Sequence, residues 1–284
     1  MKYKKQHFIT ASYTKAWCDP QTTDGAFVWV VSKKDRKIFK KAPKSLFVED
    51  DFYTAYGQGR ERIIELEHEL KRVEEKFIAL RDNKLNHHQS LTLEDRKDLA
   101  LFISTMYART KRQKDDGKQI WHDYVEMVEH FPPNMSHMVK NTRAYQDVIR
   151  VHKDQPMLFQ LYQFVNITVP WLFSMNCAIY DTDITPGIIT SDNPCFWFDP
   201  AVYNPKIPPT YFGVGSPTLM VLFPVSPKQF VIYEQNGYDG YIDLHSKPLD
   251  EDDFVDTIDR FTALNCEELI VVNERTYKEK WFEE

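Results

Sequence analysis

The stretch RERIIELEHELKRVEEKFIALRD, residues 60–82, has a regular apolar periodicity that indicates the fold class. Its apolar residues alternate at intervals of three and four, namely Ile63, Leu66, Leu70, Val73, Phe77 and Leu80. That spacing predicts an α-helix with one apolar face. Thr92, followed three residues later by Asp95, predicts the start of a second helix. Helical patterns continue beyond it, so we expect a helical block over about residues 58–168.

Segments with strand patterns lie on both sides of this block. They are residues 27–32, 37–41, 187–191, 219–225, 230–233 and 269–273. Alternating apolar residues directly after Pro170 predict one more strand, over residues 171–179. Strands at both ends with helices between them favour an α+β fold. We expect a single domain, residues 1–284, in which the helices pack against a mostly antiparallel sheet formed from N- and C-terminal strands.

The composition disfavours several common protein classes. The chain has only 9 glycines and no P-loop, G-x-S-x-G, H-E-x-x-H or G-x-G-x-x-G motif, which argues against nucleotide-cradling enzymes, common serine hydrolases and zincins. Its four cysteines are scattered and form no C-x-x-C pair, as is typical of reduced thiols. We see no secretory signal and no run of 18 apolar residues, so we expect a cytoplasmic protein without a membrane span.

Charge is distributed unevenly along the chain. Residues 1–44 contain eleven Lys/Arg and three Asp, whereas residues 234–284 contain fifteen Asp/Glu and five Lys/Arg. A basic N-terminal region can attract nucleic acid or another polyanion. Alternatively, the two ends of the chain neutralise each other in the fold or are simply solvated. The sequence leaves the oligomeric state open.

Two glutamates lie close to the apolar face of the predicted helix. Glu67 and Glu74, seven residues apart, fall within roughly 60–80° of the centre of that face at 3.6 residues per turn. Arg109 continues the apolar side of the next helix, where it could pair with either glutamate. These side chains could form a catalytic or anion-binding group or a buried structural salt bridge, or the glutamates could simply reach solvent.

Two further positions could contribute to a site. Asp192 and Asn193, followed by Pro194, stand at the end of a predicted strand, where a rigid turn could present their oxygens to a metal or substrate. The same residues could instead satisfy their own backbone in an Asx turn. His7 could be a ligand or general base, or a hydrogen-bonded structural residue.

Several segments, taken in order, resemble the motifs of one family. They are His7-Phe8-Ile9, Lys15-Ala16-Trp17-Cys18-Asp19-Pro20, Phe52-Tyr53-Thr54, the pair Glu67 and Glu74, Ala108-Arg109-Thr110, Ile189-Thr190-Ser191-Asp192-Asn193-Pro194, Phe223-Pro224-Val225-Ser226-Pro227 and Leu264-Asn265. The family is the mostly bacterial one catalogued as "domain of unknown function 4238". The resemblance implies one domain in which these polar residues recur as a set, and it implies no established activity. Thr10-Ala11 stands where the family usually has Val-Pro.

Two functions fit these residues. The first is a metal-dependent hydrolase acting on phosphodiesters or nucleic acid, with Mg²⁺ or Mn²⁺ as a possible cofactor. Its candidate catalytic residues are His7, Glu67, Glu74, Arg109, Asp192 and Asn193, of which Glu67, Glu74 and Asp192 are the candidate metal ligands. The second is a non-catalytic binding or regulatory protein, in which the same side chains form a buried polar network.

Overall fold

The structure, a computed structural model, describes residues 5–19, 25–56, 62–63, 65–154, 156–201, 216–246 and 250–283. Over these residues the fold is α+β, as predicted. The helices are α1 (Ala11–Thr14), α2 (Glu65–Asn83), α3 (Leu93–Ala108), α4 (Lys111–Glu129), α5 (Pro133–Lys140), α6 (Arg143–Asp154), α7 (Pro156–Ser174) and α8 (Glu251–Asn265). The strands are β1 (Lys5–His7), β2 (Val28–Ser32), β3 (Ile38–Lys41), β4 (Val48–Asp50), β5 (Ala55–Tyr56), β6 (Arg62–Ile63), β7 (Asn176–Asp181), β8 (Thr190–Ser191), β9 (Phe196–Phe198), β10 (Met220–Ser226), β11 (Gln229–Glu234), β12 (Gly240–Asp243) and β13 (Leu269–Val272).

The strands form two larger sheets where the sequence suggested one. The first has the order β12-β7-β11-β10-β9 and comes entirely from the C-terminal part of the chain. The second has the order β3-β2-β13-β8, so it joins N-terminal strands to C-terminal ones. Pairings in both are antiparallel apart from the parallel β12–β7 pair. The prediction of a mostly antiparallel arrangement is confirmed, and the division into two sheets is new.

Helix α3 is the centre of the helical block and begins where the sequence predicts. The Thr92 side chain accepts a hydrogen bond from the Asp95 amide at 3.3 Å, and the Asp95 carboxylate accepts one from the Thr92 amide at 2.7 Å. Such a reciprocal cap satisfies two amides that the first turn would otherwise leave unpaired. Helix α3 packs against both α2 and α7, and its residues from Leu99 to Ala108 are largely buried.

The prediction of a strand directly after Pro170 is wrong for the first half of that segment. Helix α7 continues through Pro170 to Ser174, and β7 begins only at Asn176. A proline inside a helix removes one backbone hydrogen bond and adds steric strain. Here burial opposes that cost, because Leu172 is fully buried and Met175 nearly so in the main core cluster.

The short helix α1 and the 3-10 turn after it are inserted between the helices and the sheets. The Tyr13 hydroxyl donates to the carbonyl of Pro224 at 2.8 Å, and the Trp17 indole donates to the carbonyl of Ile188 at 2.7 Å. Both side chains are fully buried. Aromatic residues that bury their rings and still satisfy their polar atoms are strong anchors. They fix the N-terminal segment, and hence His7 and Thr10, in place beside α2.

Among the residues that the structure describes, no helix combines the length and the apolar character needed to cross a membrane.

Candidate functional site

The N-terminal segment delivers the first side chains of the site. Strand β1 pairs antiparallel with β4, so that His7 stands opposite Val48. Phe8 and Ile9, which follow, are buried in the core and fix the path of the chain. Thr10 then caps α1, its side chain accepting from the Ser12 amide at 3.3 Å.

The two glutamates of α2 are both held by hydrogen bonds to this segment. Gln6 Nε2 donates to Glu67 Oε1 at 2.6 Å, and the Thr10 hydroxyl donates to Glu74 Oε2 at 2.8 Å. Arg109 Nη2 donates to the other oxygen of Glu74, also at 2.8 Å. The predicted partnership of Arg109 with a helix glutamate is therefore present, as a single contact to Glu74 in place of a bidentate pair.

Arg109 occupies the break between α3 and α4. It forms the C-cap of α3, and Thr110 caps the start of α4 by accepting from the Gln113 amide. The Arg109 side chain is only 1% exposed, and within the described part of the chain its Nε and Nη1 atoms have no hydrogen-bond partner. A buried guanidinium depends on its anion, because removing that anion leaves an uncompensated charge. Glu74, which is 22% exposed, thus links a buried cation to a surface opening.

His7 carries an unpartnered ring nitrogen close to this ion pair. Its Nε2 atom is buried and forms no hydrogen bond with any residue that the structure describes. Burial lowers the pKa of His7 below its ordinary value of 6.5, the Glu74 charge opposes that shift, and the Arg109 charge adds to it. The backbone groups of Lys44 and Pro43 also act on the ring. In the tautomer protonated at Nδ1, Nε2 carries a lone pair that can accept a proton.

Several of the side chains described above line an open cavity of about 660 Å³. Its lining includes His7, Thr10, Tyr53, Glu67 and Glu74. Burial is the main cause that raises the pKa of Tyr53 to about 12, so the Tyr53 hydroxyl stays protonated at neutral pH. A cavity of this volume is within the range that proteins use for small ligands.

Three cations in the described part of the basic N-terminal region have two different roles. Lys5 and Lys15 line the cavity. Lys33 donates to the carbonyls of Leu264 and Cys266 and so binds the end of α8. Residues 1–4 and 20–24, which belong to the same basic region, lie outside the described residues.

Asp192 and Asn193 are held in another set of interactions. Asp192 Oδ1 accepts from the Glu267 amide at 2.9 Å, and Oδ2 accepts from the amides of Glu268 and Leu269 at 2.6 and 3.1 Å. Asp192 is 5% exposed, and burial raises the pKa of its carboxyl against the effect of these donors. The turn thus binds the segment between α8 and β13 and does not present its oxygens to the cavity.

Asn193 completes the same connection. Its Nδ2 donates to the carbonyl of Asn265 at 3.1 Å, and Asn265 Nδ2 donates back to the carbonyl of Asn193 at 2.8 Å. Buried amides that bond each other's backbone fix two chain segments in register. Asp192 and Asn193 therefore have a structural role, but their side chains bond the backbone of residues 265–269 and not their own backbone, as the Asx turn would require.

The three candidate metal ligands do not come together as one set. Glu67 and Glu74 line the same cavity, whereas both oxygens of Asp192 are occupied by backbone amides. Over the described ranges, no group of three or more His, Cys, Asp or Glu side chains is placed to hold a metal ion. Glu67 and Glu74 already accept hydrogen bonds from Gln6, Thr10 and Arg109, and a carboxylate has further acceptor positions with which it can bind a metal.

Two residues of the site escaped the sequence analysis. Gln6 is only 3% exposed, and it bonds Glu67, Thr54 and, through Oε1, the Tyr53 amide. Thr10 bonds Glu74, although it stands at the position where the resemblance shows an unusual residue. That departure therefore affects the site itself, because the hydroxyl is a direct partner of Glu74.

A comparison with known families matches nearly the whole chain to one of them. Residues 5–276 match the model of the family described as "Protein of unknown function (DUF4238)". The chain belongs to this family. Its match includes every residue of the site, from Gln6 to Asn193. No curated protein and no solved structure matches the chain.

The lowered pKa of His7 predicts how stability changes with pH. A histidine whose pKa is lower in the folded state binds its proton more readily after unfolding. Its contribution to stability is present above pH 6.5 and is lost as the pH falls below that value. We expect the free energy of unfolding to decrease from about pH 7 to pH 5, and a part of that decrease to disappear in His7→Gln.

Urea unfolding at several pH values measures this effect. His68→Gln is the matched control, because His68 lines the same cavity but is exposed at the surface. The assignment of this pH dependence to His7 would be contradicted if His7→Gln left the dependence of the unfolding free energy on pH unchanged. It would also be contradicted if His68→Gln reduced that dependence equally.

Proposed function

We propose that the chain is a hydrolase that cleaves phosphodiesters, with nucleic acid as the substrate class and His7 as the general base. The observation that carries this proposal is the unpartnered Nε2 of His7 beside the Glu74–Arg109 pair, in an open cavity. A neutral imidazole with a free lone pair is suited to accept a proton from water near neutral pH.

The proposed reaction needs three contributions from the chain. Water attacks phosphorus while its proton moves to His7 Nε2, and the bond to the leaving oxygen breaks. The protonated imidazole then returns that proton to the leaving oxygen. Arg109 contributes a fixed positive charge behind Glu74 and keeps that carboxylate oriented toward Thr10.

The cations that line the cavity support a polyanionic substrate. Lys5 and Lys15 belong to the basic N-terminal region and line the same cavity as His7. Positive side chains at a cleft raise the local concentration of anions and the rate of association. Nucleic acid binding by such cations falls steeply as salt is added.

A divalent metal ion is part of the proposal, with Glu67 and Glu74 as its ligands from the chain. One or two carboxylates together with substrate phosphate are the usual ligands of Mg²⁺ in phosphoryl-transfer sites. Mg²⁺ or Mn²⁺ bound there would neutralise charge on the phosphate. His7 would act as the base in either case.

We also propose that the protein works in the cytoplasm of a bacterium. Its four cysteines are free thiols, and Cys177, Cys195 and Cys266 are buried. Burial is the main cause that raises the pKa of the Cys177 thiol to about 12, so this thiol is protonated and unreactive. Free thiols in this number are typical of a reducing compartment.

A substrate panel tests the proposed activity. Bis(p-nitrophenyl) phosphate, single-stranded DNA and RNA would be incubated with the chelated protein, and again after addition of Mg²⁺ or Mn²⁺. We expect hydrolysis that His7→Gln lowers by about 10²-fold or more, the usual contribution of a general base. His68→Gln should keep wild-type activity.

The metal ligands have their own matched pair of variants. Glu67→Gln should weaken the response to added metal, whereas Glu75→Gln, which changes an exposed glutamate on the same helix, should not. If the activity persisted fully in the presence of a chelator, the proposed metal ion would be contradicted, whereas the proposed role of His7 as general base would not. Inactivity of the folded wild type on every substrate would overturn the hydrolase.

A non-catalytic binding or regulatory protein is the second candidate, and a specific observation favours it. Each glutamate of the site already has partners from the N-terminal segment, Gln6 for Glu67 and Thr10 for Glu74. These bonds join β1 and the start of α1 to α2, as the bonds of a structural network do. In that case, the variants would change stability, and no phosphodiester would be hydrolysed.

A further inference from the structure

A second polar cavity has a volume of about 730 Å³. The N-terminal segment separates it from the cavity that contains His7. Ala16 and Cys18 line it, whereas Ala11, Ser12 and Lys15 line the cavity that contains His7. The buried Tyr13 and Trp17 belong to this dividing segment. Helix α2 reaches both cavities. Arg81, in the second, lies seven residues after Glu74, which is roughly 10 Å further along the same face.

Three of the described side chains that line this cavity have buried polar atoms that find no partner among the described residues. They are Arg81 Nη1, Gln229 Oε1 and Asn273 Oδ1. Arg81 is 8% exposed and Gln229 is 3% exposed. Buried polar atoms are nearly always hydrogen-bonded, because leaving one unpaired is costly. Three such atoms around one cavity indicate a ligand that satisfies them.

Other contacts fix the orientation of two of these side chains. Arg81 Nε donates to Asp82 at 2.9 Å. Gln229 Nε2 donates to the carbonyl of Leu85 at 2.9 Å and to Asp181 at 2.5 Å, so its amide oxygen has to point the other way. The cavity therefore offers one fixed donor and, in Gln229 and Asn273, two acceptors.

The charges of the cavity limit what it can hold. Its lining has four aspartates, Asp82, Asp181, Asp183 and Asp243, against Arg81 and Lys228. Asp82 pairs with Arg81, and Lys228 pairs with Asp183 at 2.9 Å. His88 Nε2 lies 3.0 Å from Asp181 Oδ1. The excess of carboxylates disfavours a phosphate or a dicarboxylate, despite the unpartnered guanidinium nitrogen.

We propose that this cavity binds a small polyhydroxylated compound, neutral or cationic, such as a hexose or an amino sugar. One ligand oxygen accepts from Arg81 Nη1, and ligand hydroxyls or an amine donate to Gln229 Oε1 and Asn273 Oδ1. Hydroxyl groups both donate and accept, which suits this mixture of unpaired atoms. Its described lining includes no Phe, Tyr or Trp ring on which a nucleobase could stack.

This site is independent of the proposed hydrolase. The described linings of the two cavities share no residue. The second cavity would therefore select the same kind of ligand whether or not the first is catalytic.

Titration calorimetry with three hexoses of different charge tests the proposal. The probes are glucosamine, glucose and glucose 6-phosphate, added to the full-length protein. We expect glucosamine to bind at least as tightly as glucose, and glucose 6-phosphate to bind about tenfold more weakly or not at all. Asn273→Ala should weaken glucosamine binding by about fivefold, the effect of one lost hydrogen bond.

Asn141→Ala is the matched control, because Asn141 is exposed, lies outside the described lining of the cavity and should leave binding unchanged. If Asn273→Ala fails to fold, the side-chain NMR signals of Gln229 and Arg81 in the wild type give the second measurement. They should shift on addition of glucosamine. Binding of none of the three sugars would overturn the proposal, and the cavity would then hold only water. Tightest binding of glucose 6-phosphate, or saturable binding without those shifts, would overturn it too.

Discussion

Replacing Glu74 with alanine should lower the free energy of unfolding by about 3–5 kcal/mol, because it leaves the buried Arg109 charge without its anion. Arg109 is 1% exposed, and Glu74 supplies its ion pair at 2.8 Å. The neighbouring Glu75→Ala is the matched control. Glu75 is 65% exposed and pairs with Lys71 only at 3.5 Å, so its removal should cost less than about 1 kcal/mol.

A double-mutant cycle in urea separates the ion pair from other effects of the substitution. Arg109→Met removes the charge while keeping an apolar side chain beside Met106, which Arg109 contacts at 3.5 Å. The double variant Glu74→Ala/Arg109→Met should be more stable than Glu74→Ala alone, because no charge is then left unpaired. Additive losses in the cycle would show that the two side chains are not coupled.

Replacing Asp192 with alanine should lower the free energy of unfolding by about 3 kcal/mol or more, since three backbone amides lose their acceptor. Those amides belong to Glu267, Glu268 and Leu269. Asp192→Asn keeps one acceptor oxygen, so its free energy of unfolding should lie between those of Asp192→Ala and the wild type. Asp183→Ala, which removes an 85% exposed carboxylate, should cost about 0.5 kcal/mol or less.

Hydrogen exchange measures the local part of this effect. The amides of residues 267–269 should exchange faster in Asp192→Ala at a pH where the protein stays folded, since their bonds to the carboxylate hold that segment against β8. Unchanged protection there would contradict the structural role of Asp192.

Local patterns in the sequence predicted the helices well, and for a physical reason. The apolar face of α2 and the cap of α3 depend on residues a few positions apart, so a short window contains the whole signal. Pro170 misled the same approach. The cost of a proline inside a helix is visible locally, whereas the burial of Leu172 that opposes it depends on distant parts of the chain.

Pairing of the strands could not be read in this way. Strand β13 lies between β2 and β8, and its partner residues in β2 are more than two hundred positions away in sequence. Strand patterns predict a pleated, half-buried segment and carry little information on the partner. The order of elements was therefore enough for the α+β class and not for the division into two sheets.

The site was partly predictable. The seven-residue spacing of Glu67 and Glu74 put both carboxylates on one side of α2, and they do line one cavity. Asp192 was ambiguous because a carboxylate after a strand can face a ligand or bind nearby amides, and only the tertiary contacts distinguish these roles. Gln6 gave no signal, since its importance depends on a contact with α2 that is distant in sequence.

The pH dependence of kcat/KM for bis(p-nitrophenyl) phosphate, measured on wild type, His7→Gln and His68→Gln, tests the central claim most directly. The account predicts that the wild-type rate rises with an apparent pKa below 6.5, because His7 must be neutral to accept the proton. His68→Gln should reproduce that profile. His7→Gln should lose the activity, and any residual rate should no longer rise with pH in this range. A folded His7→Gln protein that hydrolyses the substrate with the wild-type profile would contradict the account.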